Sequence, residues 1–250
     1  MLNAKILVPL LFAVGCGDRT TAVGFIGRID YALWTKYELG NQNLTDVSII
    51  TGHEQYLVTS LTEKGLEDIE DSSGTIRHTL SPAKDSTITN EDSLFTDEIP
   101  DLSLTVNSPG RTTLNSNLDG EIFDYLPLSF QSPDTLKLVT WIKNPEDDGF
   151  SKYSGNLIPV YTGAQATFLP IPKSNGKRLA GDIEFELSSD PSTATAEVYN
   201  LVGVFENEIS YSTSPTSVVF LEPGKVIVTL TDLPNGVSAF QTFDVLSIDE

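Results

Sequence analysis

Short segments of alternating or β-branched residues, cut apart by turn formers about every ten residues, constrain this chain more than any other feature. Residues 55–61, 102–106, 136–142, 183–187 and 225–230 all read this way, and Ser-Pro, Pro-Gly and Asn-Gly steps punctuate them. Alternation at period two places one side-chain face against a core and the other in water. No window holds a helical period over three turns, and residues 64–70 offer only a brief helical or turn-like interruption. Residues 85–101 are acidic and poor in apolar side chains, which predicts a loop with one short strand. The pattern predicts an all-β fold, a sandwich or a barrel.

An internal repeat divides the chain. Glu63-Lys64-Gly65, followed by Asp71, corresponds to Ser174-Asn175-Gly176, followed by Asp182. Ser81-Pro82 and the residues after it correspond to Ser188-Ser189-Asp190-Pro191, and Pro109-Gly110-Arg111 to Pro223-Gly224-Lys225. The offsets are all near ~110 residues, one structural unit with loop insertions. Each half closes on an alternating segment, 123–130 or 240–248.

At these residues the chain resembles bacterial immunoglobulin-like domains. Their usual run is a polar-glycine turn, a small acidic segment, Ser-Ser-Asp-Pro before Ala-Thr, then a glycine turn and two closing strands. Here it stands as Asn175-Gly176 through Asp182, Ser188 through Thr195, and Pro223-Gly224-Lys225. The family commonly has Trp two positions before the serine pair, where this chain has Glu186. The resemblance is fuller over residues 133–250 than over 23–131. It implies two tandem immunoglobulin-like β-sandwiches, residues 24–132 and 133–250, meeting near Gln131-Ser132-Pro133-Asp134. Trp141 is expected in the core of the second sandwich. Trp34, with Tyr31 and Tyr37, is expected to cover one end of the first or to form an exposed contact patch.

The amino terminus carries a separate signal. Lys5 precedes the apolar run 6–14, which is far short of the ~20 residues that span a bilayer and fits a signal-peptide core. The run closes on Ala13-Val14-Gly15-Cys16, and Cys16 is the one cysteine in the chain. These residues resemble a bacterial lipobox, with Ala13 where leucine is commoner. The resemblance implies removal of residues 1–15, diacylglycerol on the Cys16 sulfur, acylation of the new amino terminus, and a tether over 16–23. Gly17 in place of aspartate implies the outer membrane. A single cysteine in an exported chain has no disulfide partner, and lipid attachment accounts for it. Two or three acyl chains anchor a protein where one does not.

Composition narrows the partners. A net charge of −20 disfavours nucleic acid and anionic lipid surfaces, leaving the covalent lipid as the membrane link. No nucleophile–histidine–acid constellation is apparent: the histidines are His53, in a turn before a strand, and His78, within 75–80, both expected at the surface or in a strand. Cysteine pairs and phosphate-binding glycine loops are missing, so no cofactor is expected. Calcium is the one metal with a rationale, because it takes carboxylate and loop carbonyl oxygens. Glu67-Asp68-Glu70-Asp71, Asp97-Glu98-Asp101 and Glu146-Asp147-Asp148 are the candidate clusters, with the last, before Gly149, favoured. The sequence therefore predicts a non-enzymatic, lipid-anchored envelope protein with a structural or binding role and a protein or glycan partner. A subunit of a larger envelope assembly and a carbohydrate-binding surface module are the alternatives.

Overall fold

The computed structural model describes residues 20–33, 43–69, 74–83, 85–90, 102–198, 201–205, 208–211 and 217–248. Cys16 and the lipobox, Trp34 and Tyr37, and Glu70, Asp71, Asp97, Glu98 and Asp101 lie outside them.

The first half folds as β1 (Thr20–Val23), β2 (Ile29–Leu33), β3 (Ser48–Ile50), β4 (Glu54–Leu61), α1 (Glu63–Ile69), β5 (Ile76–Ser81), β6 (Ser86–Asn90), β7 (Leu102–Val106), β8 (Gly110–Leu118) and β9 (Glu121–Gln131). One sheet runs β1-β2-β4-β7-β6 and the other β3-β9-β8-β5, with β3 parallel to β9. The second half adds β10 (Thr135–Lys143), β11 (Ser151–Tyr153), β12 (Leu157–Tyr161), β13 (Gln165–Ser174), β14 (Lys177–Arg178), β15 (Glu186–Asp190), β16 (Thr195–Val198), β17 (Leu201–Phe205), β18 (Glu208–Tyr211), β19 (Ser217–Phe220), β20 (Gly224–Asp232) and β21 (Val237–Leu246). Its sheets run β11-β10-β13-β19-β16 and β12-β21-β20-β15, with β12 parallel to β21, and β17-β18 form a separate hairpin. In both halves the first, second, fifth and fourth principal strands form one sheet and the third, sixth and seventh the other. That is the strand order of an immunoglobulin-like sandwich.

Alternation explains which face turns inward. β5 is buried at every second residue, and Ile76, His78 and Leu80 point into the first core. The second core gathers Ile142, Phe168, Phe185, Phe220, Val228 and Phe243, with Phe220 and Phe243 4.7 Å apart between ring centres. Each such side chain contributes ~1.5–3 kcal/mol on burial. The repeat landmarks fall at matching places. Ser81-Pro82 and Asp190-Pro191 close β5 and β15, and Gly110 and Gly224 open β8 and β20. The glycine landmarks after β4 and β13 differ locally: Gly65 lies in α1, whereas Asn175-Gly176 forms a tight turn into β14.

Two expectations change. The strand expected at 183–187 is β15, three residues later, because 179–184 dock against the first sandwich instead. Trp141 lies on the face of β10 turned away from its own core and packs, partly buried, against the apolar cluster of the first half. Val139, Leu169 and Ile171 of β10 and β13 join it there.

Candidate functional site

The two sandwiches are joined by a junction of buried side chains. β3 shows its origin: Ile49 faces the first core, and Ile50, its opposite-facing neighbour, is fully buried as well. A half-solvated edge strand should expose one of the two. Ile50 is covered by Leu136, Leu179 and Ile183 of the second half, with Val237 and Ala239 packed around them. The backbone continues the contact, since the Ile50 N–H donates to the Ala180 carbonyl (2.9 Å) and the Ala180 N–H to the Ser48 carbonyl (2.8 Å).

Polar groups complete the lock. Gln55 donates to the Asp182 carbonyl (2.9 Å) and accepts the Asp182 N–H (2.8 Å), so both ends of its amide bridge the halves. Gly181 has φ +99°, and a Cβ there would collide with that amide. His53 is 3% exposed and Asp232 fully buried. His53 Nδ1 accepts the Glu184 N–H (3.2 Å), which leaves Nε2 to donate to Asp232 Oδ1 (2.9 Å). The Asn235 amide donates to Asp232 Oδ2 (2.9 Å) and the Thr51 carbonyl (3.0 Å). The connecting residues are held too: Thr51 Oγ1 bonds Ser132 Oγ (2.8 Å), and Asp134 accepts the Asn175 N–H (2.6 Å).

At the far end of β9 a second feature is built with comparable care. The carboxylate of buried Asp124 accepts four backbone N–H groups, from Ile26 (2.9 Å), Arg28 (2.7 Å), Ile29 (2.9 Å) and Tyr125 (2.8 Å). These fix the β1–β2 loop, and Gly24 is needed because a Cβ would strike that carboxylate. Arg28 donates to the Phe123 carbonyl and to Asp68, with its guanidinium 4.9 Å over the Phe123 ring. Thr62 and Lys64 donate to the carbonyls of Gly27 and Ile26. On this pinned loop Phe25 is 74% exposed and stacks on Tyr125 at 4.9 Å, the rings 24° apart. Rigid scaffolding under an exposed aromatic is what a contact site requires. Asp30, on β2, has its carboxyl pKa raised by desolvation and by the Asp124 charge.

Neither histidine lies at the surface. His78 is buried with Tyr31 around Ser116, whose Oγ bonds the tyrosine hydroxyl (2.6 Å) and His78 Nδ1 (2.8 Å). Burial pushes the Tyr31 hydroxyl well above the ordinary tyrosine range. Enclosed in the core, this trio braces the two sheets. Glu146, Asp147 and Asp148 are exposed in the β10–β11 turn, where Asp147 Oδ2 accepts the Asn144 N–H and amide (both 3.0 Å). Among the described residues, no three His, Cys, Asp or Glu side chains are placed to hold one metal ion. None of their helices is long and apolar enough to cross a membrane. Sequence reasoning missed Asp124, Gln55, Asp232 and Phe25. The adjacent pair Ile49-Ile50 was the one signal that something covers both faces of β3.

No family model and no curated protein matches the chain. Among solved structures it is similar to domains 5–6 of the S-layer protein SbsC, at 12% identity and a TM-score of 0.34, covering 92% of this chain and all of that one. Invasin, a bacterial integrin-binding protein, aligns at 15% identity and a TM-score of 0.27 over 92% of this chain and 42% of its own. The Escherichia coli adhesin FdeC aligns at 12% and 0.29, over 88% and 74%. Likeness at this level adds nothing to the strand order, which by itself defines the architecture.

His53→Ala should remove a donor from the buried Asp232 carboxylate, leaving it to Asn235, and cost about 3 kcal/mol, seen as a melting temperature lower by roughly 6–12 °C. Asp124→Asn turns an amide N–H₂ toward backbone donors and should cost about 2 kcal/mol, whereas Phe25→Ala should stay within ~0.5 kcal/mol of the parent. Equilibrium denaturation measures all three. For Asp30 the sign follows from a folded pKa above the unfolded one: the folded chain holds that proton more tightly, so ionised Asp30 destabilises above its folded pKa. Asp30→Asn should therefore stabilise at neutral pH, with the gain shrinking as pH falls through that pKa; the difference in melting temperature between variant and parent would stay flat across pH 3–7 if the carboxyl were unperturbed.

Proposed function

We propose that this chain is a lipid-anchored cell-envelope protein that displays a rigid pair of immunoglobulin-like sandwiches and acts by binding rather than catalysis. The observation that carries the display role is the junction: apolar side chains and buried hydrogen bonds fix one sandwich on the other across a linker of Ser132, Pro133 and Asp134. Sandwiches so joined hold a contact loop at a set distance and angle from an anchor. Fold by itself does not assign a role, so the binding reading rests on the pinned Phe25 loop and on both histidines being spent on structure. Ala13-Val14-Gly15-Cys16 supports anchoring through acyl chains on Cys16, on the outer membrane by the residue at Gly17.

The Phe25–Tyr125 stack favours one second reading, a carbohydrate-binding surface module, since a fixed exposed ring offers a flat apolar face to a sugar. Phe25→Ala should then abolish retention on immobilised envelope polysaccharide while leaving the fold intact.

Intact mass of the membrane-fraction protein tests the anchor. A chain beginning at Cys16 with added acyl mass is expected, together with loss of membrane association in Cys16→Ala. An unmodified chain in the soluble fraction contradicts it.

A further inference from the structure

The chain has two Asn-Gly steps, and the fold places them differently. An Asn-Gly step is prone to modify itself in water. The glycine nitrogen, once its proton is lost to base, attacks the carbonyl carbon of the preceding side chain. The side-chain nitrogen leaves as ammonia and a succinimide ring closes. Water then opens the ring at either carbonyl, leaving aspartate or isoaspartate. Glycine permits the close approach because it has no Cβ. Asn175-Gly176 is exposed in the two-residue turn from β13 to β14, inside the second sandwich. Asn235-Gly236 lies in the β20–β21 turn, where its amide reaches Thr51 of the first sandwich.

The reacting groups of Asn235-Gly236 are all restrained. The Gly236 N–H donates to the Asp232 carbonyl (2.8 Å). Asn235 Nδ2 donates to Asp232 Oδ2 (2.9 Å) and to the Thr51 carbonyl (3.0 Å), while Oδ1 accepts from Thr51 Oγ1 (3.1 Å). Asp232 is itself held by His53 Nε2 (2.9 Å). The bonds from Thr51 and His53 cross the junction, so they are lost whenever it opens.

We propose that Asn235 is a deamidation site, shielded while the sandwiches are locked, reactive when they part, and able to keep them from locking again. The last step is electrostatic. Aspartate at this position puts a carboxylate oxygen where Nδ2 now donates, 2.9 Å from Asp232 Oδ2 and 3.0 Å from the Thr51 carbonyl oxygen. Two donor contacts become oxygen against oxygen, and one of them sets carboxylate against a buried carboxylate. Isoaspartate also adds a backbone methylene to the turn. Either product favours the open form, in which the carboxylates are hydrated and the sandwiches hinge about Ser132, Pro133 and Asp134. A rigid display becomes a jointed one, and the change is irreversible. The consequence rests on the rigid pairing proposed above and holds whether or not Cys16 carries lipid.

Peptide mapping by mass spectrometry of the full chain, incubated at mildly alkaline pH, reads deamidation at both sites, with Asn175 as the internal clock. Gln55→Ala takes two hydrogen bonds from the closed junction without touching the turn. The rate at Asn235 should then rise about 10-fold while that at Asn175 is unchanged. A rate at Asn235 that Gln55→Ala leaves unaltered overturns the proposal. Asn235→Asp installs the product directly, and circular dichroism verifies that both sandwiches remain folded. Its backbone amide residual dipolar couplings should give a separate alignment tensor for each sandwich, where the unmodified parent gives one. A single shared tensor in Asn235→Asp overturns the proposal and leaves the rigid junction standing. Two tensors in the unmodified parent overturn both together.

Discussion

A histidine and an aspartate 179 positions apart, buried against each other between two sandwiches, are the interaction on which the rest depends. Taking an ionisable pair out of water is expensive, and apolar side chains of equal volume often stabilise as well. What the pair supplies is geometry. Nδ1 of His53 is committed to the Glu184 N–H and Nε2 to Asp232, so the ring fits one arrangement of the two halves. The Gln55 amide, matched donor for acceptor to Asp182, repeats the constraint two residues along the chain. Interdomain contacts within a chain usually permit motion; here Ile50, Leu136, Leu179 and Ile183 exclude water around these bonds and hold the angle.

A fixed angle gives meaning to what is exposed. The Phe25 loop lies at the far end of β9 from the junction. With the junction closed, a partner held at the Phe25 loop would have a defined orientation relative to the second sandwich. The buried Tyr31–Ser116–His78 trio belongs to the same design, since its polar groups satisfy one another inside the core and leave chemistry to the surface.

Much of the fold was legible because strands and turns are local. β5 alternates as written, and Pro109-Gly110 and Pro223-Gly224 open equivalent strands, so the repeat seen in the sequence is a repeat in space. The junction was not legible. Its partners are far apart in sequence, and a histidine before a strand carries no mark of the aspartate it will meet. Residues 179–184 have apolar side chains without a period, because they pack against another sandwich rather than along a sheet. β21 was legible as a strand but not in its facing. Phe240 and Leu246 face outward while Phe243 and Val245 face inward, so both faces carry large apolar side chains and period two cannot choose between them. Asp124 looks like any strand acid until the loop it holds is seen.

Whether the two sandwiches move as one body is best decided by residual dipolar couplings of backbone amides, taken separately for the sheets of each half. A locked junction predicts a single alignment tensor, equal in magnitude and direction for both. Two tensors of different magnitude would mean independent motion and would contradict the rigid-display reading.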